Sequence, residues 1–112
     1  MKAAELDEYK MGGAFAEYCT TGTKMCIPVS DGFTFDQAAT FIVNPITAVC
    51  MVERIKQLKC KSTIITAAAS QIGKMLIKLC NQSNIIPICT VRREEQVKIL
   101  ESLGVKYIVN TS

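Results

Sequence analysis

The chain has 112 residues, of which 49% are hydrophobic and 21% charged, and a formal net charge of +3. That length gives one domain able to bury about two thirds of its unfolded surface, so no staple or metal is needed to hold it. The small positive excess is interleaved with acids, as in Glu53-Arg54 and Arg92-Arg93-Glu94-Glu95, which argues against a nucleic-acid stripe, and no apolar run approaches the ~20 residues that span a membrane.

Residues 1–12 read as a polar lead-in ending at Gly12-Gly13, without the apolar core of a secretory signal. Residues 14–19 then alternate, and 24–29 follow a Thr-Thr-Gly turn, so two short antiparallel strands are expected; such a pair is marginal in water unless it packs on something. Thr34 and Gln37 form a capping box that starts a short helix through Phe41. Asn44 reads as the N-cap of a longer helix, with Pro45 in its first position. Ala48, Met51, Val52 and Ile55 recur at helical spacing and carry that helix to about Leu58, where Lys56, Lys59 and Lys61 suit the negative pole of its dipole.

The organising stretch follows. A β-branched strand at 63–66 runs into a turn of small residues, and Ile72, Met75, Leu76, Leu79 and Cys80 then give the clearest helical stripe in the chain, read as core packing. Residues 81–84 end that helix and 85–91 form a second strand. Pro87 cannot donate to a sheet ladder, so it must sit early in the strand or face no partner. A helix over 94–103, with Val97, Leu100 and Leu103 inward, stops at Gly104, and 105–109 form a third strand. The fold class is therefore α/β: a βαβαβ half of a Rossmann-type doubly wound parallel sheet, preceded by a helix and a short antiparallel remnant.

The turn between the first of these strands and its helix reads A-x-x-S-x-x-G from Ala67 through Ser70 to Gly73, in place of the usual G-x-G-x-x-G. Small residues let a phosphate approach the unpaired N–H groups and positive pole of the helix start, Ser70 can cap that helix, and Gly73 permits close packing of helix on strand. An ordinary strand-to-helix turn would carry the same residues. At the end of the second strand an acid favours the ribose of NAD, whereas arginine suits the 2′-phosphate of NADP. Arg92 and Arg93 stand there and point to NADP(H); the plainer alternative is that they begin a solvated helix and pair with Glu94 and Glu95.

Six cysteines include no C-x-x-C pair and the chain has no histidine, so no zinc site of familiar spacing can be built and no catalytic thiol has a histidine to activate it. Cys50, Cys80 and Cys89 are expected to be buried as small hydrophobes. Free cysteines of this kind suit a reducing compartment, the cytoplasm or the mitochondrial matrix.

Residues 13–18 (Gly-Ala-Phe-Ala-Glu-Tyr), 44–48 (Asn-Pro-Ile-Thr-Ala), the 67–73 turn and 91–93 (Val-Arg-Arg), in this order and spacing, resemble the zinc-free medium-chain dehydrogenases and reductases, the quinone oxidoreductase and enoyl-thioester reductase group. Nearly the whole chain takes part in the resemblance, and Asn-Pro-x-Thr-Ala with a serine at position 70 is most similar to the enoyl-thioester branch. It implies that residues 1–33 are the tail of a GroES-like catalytic domain and 34–112 the N-terminal half of an NAD(P)-binding Rossmann domain. Residue by residue, it implies that Asn44 and Thr47 lie near the nicotinamide, that Ala69, Ser70, Gln71, Ile72 and Gly73 bind pyrophosphate, and that Arg92 and Arg93 bind the 2′-phosphate. Members of that family are much longer and keep their catalytic tyrosine in a part with no counterpart here, so Tyr9, Tyr18 and Tyr107 receive no such role.

The function implied is that of the NADPH-binding part of a zinc-independent oxidoreductase passing hydride to an enoyl thioester, an enal or enone, or a quinone. A small-molecule substrate belongs to the complete enzyme, and this chain alone is not expected to turn it over. The alternative is a non-catalytic structural or interaction module that keeps the half-fold. Its open first strand would then pair with a second copy or a partner chain.

Overall fold

The computed structural model describes residues 15–112. Contacts divide the chain between Thr34 and Phe35. In residues 15–33 the regular element is a 3₁₀ turn at Thr23–Met25, and the two expected antiparallel strands are not formed among the described residues. Phe15 and Tyr18 are exposed, as are Met25, Ile27 and Val29. A short strand pair is by itself marginal in water, because its few contacts barely repay the ordering of its backbone. The lead-in expected over 1–12 and the start of the 14–19 segment lie outside the described residues.

From Phe35 the elements run α1 (Phe35–Thr40), α2 (Val43–Gln57), β1 (Ser62–Ile65), α3 (Gln71–Gln82), β2 (Ile86–Val91), α4 (Glu94–Ser102) and β3 (Tyr107–Asn110). The sheet is parallel with strand order β1-β2-β3. Ser62 pairs with Ile86 and Ile65 with Cys89; Ile88 pairs with Tyr107 and Val91 with Asn110. This is half of a Rossmann-type sheet, as the sequence indicates.

Pro87 is accommodated by register. The Ile86 N–H bonds Lys61 O on the β1 side at 2.9 Å, so the nitrogen of the next residue faces β3, whose pairing with β2 begins only at Ile88. The missing donor falls where the ladder has not yet started.

The core lies on one side of the sheet. Ile77 and Cys80 of α3, Cys89 of β2 and Leu100 of α4 are fully buried, joined by Ile65, Leu76 and Val91, while α2 adds Ala48 and Val52. Ile77 was not part of the stripe read from the sequence; the buried side of α3 is wider because α2 packs on it as well as the sheet. The opposite face shows its side chains to solvent: Ile64 is 67% exposed, and Ile86, Tyr107 and Val109 are each about half exposed.

Two details of α2 differ from expectation. The helix begins two residues earlier, with Ile42 as N-cap, so Asn44 does not cap it and Pro45 is its third residue; the first four N–H groups of any helix are unpaired, so proline is tolerated there too. Cys50 is exposed rather than buried. The buried line is Ala48, Val52 and half-buried Ile55, and a residue two steps from Ala48 points to the far side of a 3.6-residue turn.

All three helix-to-strand connections stop their helices in the same way. After α2, α3 and α4 the residue beyond the C-cap takes a left-handed conformation: Lys59 (φ 55°), Asn84 (φ 56°) and Gly104 (φ 77°). Each is followed by a return bond to the helix, from Cys60 N to Ile55 O (3.2 Å), Ile85 N to Cys80 O (2.9 Å) and Val105 N to Leu100 O (3.2 Å). These are Schellman stops, and the following residue in the last two is buried in the core. Lysine is the poorest of the three in this conformation. Lys59→Gly should therefore stabilise the chain by about 0.5–1 kcal/mol in chemical denaturation.

Burial pushes the Cys80 thiol up, and burial together with the neighbouring Cys80 pushes Cys89 up to about 11. Both should resist thiol reagents in the folded chain, while exposed Cys19, Cys26, Cys50 and Cys60 react. Because the folded Cys89 holds its proton more tightly than the unfolded thiol, that contribution is complete below about pH 8.5 and lost as the pH rises towards 11. A thiol titration with and without denaturant, repeated across that range, checks both statements.

Candidate functional site

The turn from β1 into α3 is built on one close approach. A Cβ added at Gly73 would lie 2.7 Å from the Ala68 carbonyl carbon and 2.8 Å from its Cα, and nearer still to its oxygen. No side chain fits there, so the first turn of α3 rests directly on the backbone of the turn. Ala68 is fully buried, and its N–H bonds Thr90 O at the end of β2 (3.2 Å). Ala67, at φ 48°, makes the sharp change of direction, and its carbonyl accepts from Ser70 N at 2.9 Å.

Ser70 is the N-cap of α3, its hydroxyl accepting from Gly73 N at 3.1 Å. One of the orphan donors of the helix start is thereby satisfied, and those of Gln71 and Ile72 are left over at its positive pole. Beside this start, β2 ends at Val91 and the chain passes through Arg92 into α4. The Gln96 side chain reaches back, its Oε1 accepting from Arg92 N at 3.2 Å. Thr111 closes the far side, with its N–H (2.8 Å) and hydroxyl (3.1 Å) both donating to Val91 O.

Together these groups surround a cleft of about 490 Å³ at the C-terminal ends of β1 and β2, lined by Thr66, Ala67, Ala69, Ser70, Thr90, Val91, Arg92, Gln96 and Thr111. In open α/β sheets this end of the strands is where ligands sit. Of the residues singled out in the sequence, Ala69, Ser70 and Arg92 line the cleft. Gln71 and Ile72 form the first turn of α3 behind Ser70, and Gly73 faces Ala68. Arg93 is the N-cap of α4, exposed and outside the lining. Asn44 and Thr47 are not brought to this cleft: both are exposed on α2, where the Thr47 hydroxyl donates to Val43 O at 2.7 Å and Thr47 borders a separate apolar groove between α2 and Thr63 of β1.

The alternative pairing of Arg92 and Arg93 with the adjacent glutamates is not formed; among the described residues the ion pair is Lys56–Glu53. Glu94 instead accepts from Asn110 Nδ2 at 3.2 Å. Sequence reasoning missed Thr66, Thr90, Gln96 and Thr111. Only Gln96 carried a local signal, since it stands three residues after the α4 N-cap, the capping-box position, although it reaches one residue further back than that motif does. Among the described residues no helix is long and apolar enough to cross a membrane, and no cluster of side chains could hold a metal ion.

No family model matches the chain. Single relatives do. The chain is 34% identical over 88 residues to a highly reducing polyketide synthase of Aspergillus fumigatus, covering 78% of this chain and 4% of that one. It is 34% identical over 87 residues to the mitochondrial enoyl-[acyl-carrier-protein] reductase of Caenorhabditis elegans, covering 73% of this chain and 25% of the reductase. Among solved structures, a protein described as an NADPH:quinone reductase from Mesorhizobium loti superposes with a TM-score of 0.73 at 39% identity, over 78% of this chain and 25% of that one. A second so described, from Bacillus thuringiensis, gives 0.75 at 26% identity, over 91% of this chain and 31% of that one.

The architecture is thus the first half of a nucleotide-binding type of sheet, with its cleft at the expected end. The chain is similar to the quinone reductases and enoyl reductases of the medium-chain dehydrogenase/reductase family, and spans about a quarter of the length of the reductases it matches.

The tight contact under α3 gives a direct test. Gly73→Ala should destabilise the chain by about 1–3 kcal/mol in urea unfolding, because backbone rather than a movable side chain must give way.

Proposed function

We propose that the chain is the NADPH-binding part of a zinc-independent oxidoreductase whose hydride acceptor is an enoyl thioester, an enal or enone, or a quinone. The observation that carries this reading is that the capped start of α3 and Arg92 line one cleft at the C-terminal end of the parallel sheet. The printed descriptions of its relatives, an enoyl reductase and NADPH:quinone reductases, support the same class.

In this reading residues 34–112 are the N-terminal half of the Rossmann domain and 1–33 the tail of a catalytic domain. Gln71 and Ile72 offer their backbone N–H groups to the pyrophosphate, Ala69 and Gly73 keep the approach clear, and Ser70 fixes the helix start. Arg92, with no acidic partner among the described residues, offers a guanidinium to the 2′-phosphate, with Arg93 adding charge from the rim. Asn44 and Thr47 serve the nicotinamide end. The chemistry supplied by the bound cofactor is hydride donation from its nicotinamide ring; the residues here bind, orient and exclude water. The substrate site and the group that protonates the product belong to the remainder of such an enzyme.

A second reading is favoured by β1. Its outer edge has no partner strand among the described residues and Ile64 is 67% exposed beside it, so a non-catalytic module pairing through that edge with a second copy or another chain fits the same fold. Calorimetric titration distinguishes the two. Saturable NADPH binding, weakened about tenfold in Arg92→Ala while NADH binding is unchanged, is expected of the first reading. Silence with both nucleotides would leave the second.

A further inference from the structure

We infer that Gln96 and Asn110 are positioning residues that set the preference for a 2′-phosphate by sorting the charges at the mouth of the cleft. The inference rests on the nucleotide reading above and names the residues that tune it.

Two opposite charges compete for the position beside an adenosine ribose: a guanidinium selects the 2′-phosphate, and a carboxylate selects the free 2′-hydroxyl and repels the phosphate. Both are present here within three residues, Arg92 and Glu94, so which of them faces the cleft decides the outcome. The structure separates them by two hydrogen bonds. Gln96 Oε1 accepts from Arg92 N at 3.2 Å, which holds the backbone of Arg92 against the first turn of α4, and both residues line the cleft. Asn110 Nδ2 donates to Glu94 Oε2 at 3.2 Å from the end of β3, and Glu94 is absent from the cleft lining. Asn110 is itself fixed, its Oδ1 accepting from Ser112 N at 3.2 Å.

The neutrality of Gln96 is part of the arrangement. Glutamate would make the same bond to Arg92 N and suit the helix start equally well, but it would put a negative charge into the lining and pair with the Arg92 guanidinium. A purely structural role for Gln96 therefore predicts that Gln96→Glu is harmless. A role in selectivity predicts that it is not.

The test is titration of the full chain with NADPH and with NADH, for the unaltered protein and for Gln96→Glu, Asn110→Ala and Asn110→Ala combined with Glu94→Gln, with thermal melting of each. Gln96→Glu should keep or raise the melting temperature and lower the NADPH:NADH affinity ratio about tenfold, the size of one charge-assisted hydrogen bond. Asn110→Ala should lower the ratio several-fold by freeing Glu94, and Glu94→Gln should restore it. If the unaltered chain prefers NADPH and these variants leave the ratio within twofold, the inference is overturned while the nucleotide reading stands. If the unaltered chain binds neither nucleotide, both fall together.

Discussion

The contact between the first turn of α3 and the backbone of Ala68 governs the rest of the structure. With no Cβ at position 73, helix and turn come closer than any two side-chain-bearing segments could, and that proximity puts Ser70 where its hydroxyl meets the Gly73 N–H. It also seats Ala68 deep enough for its own N–H to reach Thr90 at the end of the neighbouring strand. One glycine thus links β1, α3 and β2 at the point where the cleft opens. The positive pole of the helix faces that opening because the axis of α3 is set there.

The cleft owes its chemistry to backbone more than to side chains. The helix start contributes unpaired N–H groups that keep their direction whatever residues carry them, and the arginine at the end of β2 contributes the one fixed charge in the lining. A site built this way is mostly preformed, since the groups that would meet a phosphate are held by the same bonds that hold the fold. In the proposed nucleotide reading the side chains add discrimination, a smaller but separable effect.

What could be read in the sequence tracks how local the controlling physics is. The stripe from Ile72 to Cys80, the cap at Ser70 and the stop at Gly104 depend on residues within a turn of one another, and all three appear where expected. The start of α2 at Val43 differs from expectation because the local pattern does not choose between Asn44-Pro45 as N-cap and first residue and the same pair two residues further into the helix, where proline is also tolerated. Residue type alone puts Cys50 in the interior, whereas its exposure follows from its angle around α2. The pair of strands expected before Thr34 has the right alternation but is not formed among the described residues. The bonds joining Glu94 to Asn110 and Thr111 to Val91 span 16 and 20 residues, and no local pattern announces partners that far apart.

The bare face of the sheet has a thermodynamic consequence. Unfolding releases apolar surface mainly from the helix-covered side, because Ile64, Ile86, Tyr107 and Val109 already meet water in the folded chain. The heat-capacity increment of unfolding scales with newly exposed apolar area, so it is small for the number of residues involved. The stability curve of the chain alone is correspondingly broad, changing little between cold and warm. Any strand or helix that came to cover that face would steepen the curve as well as raise it.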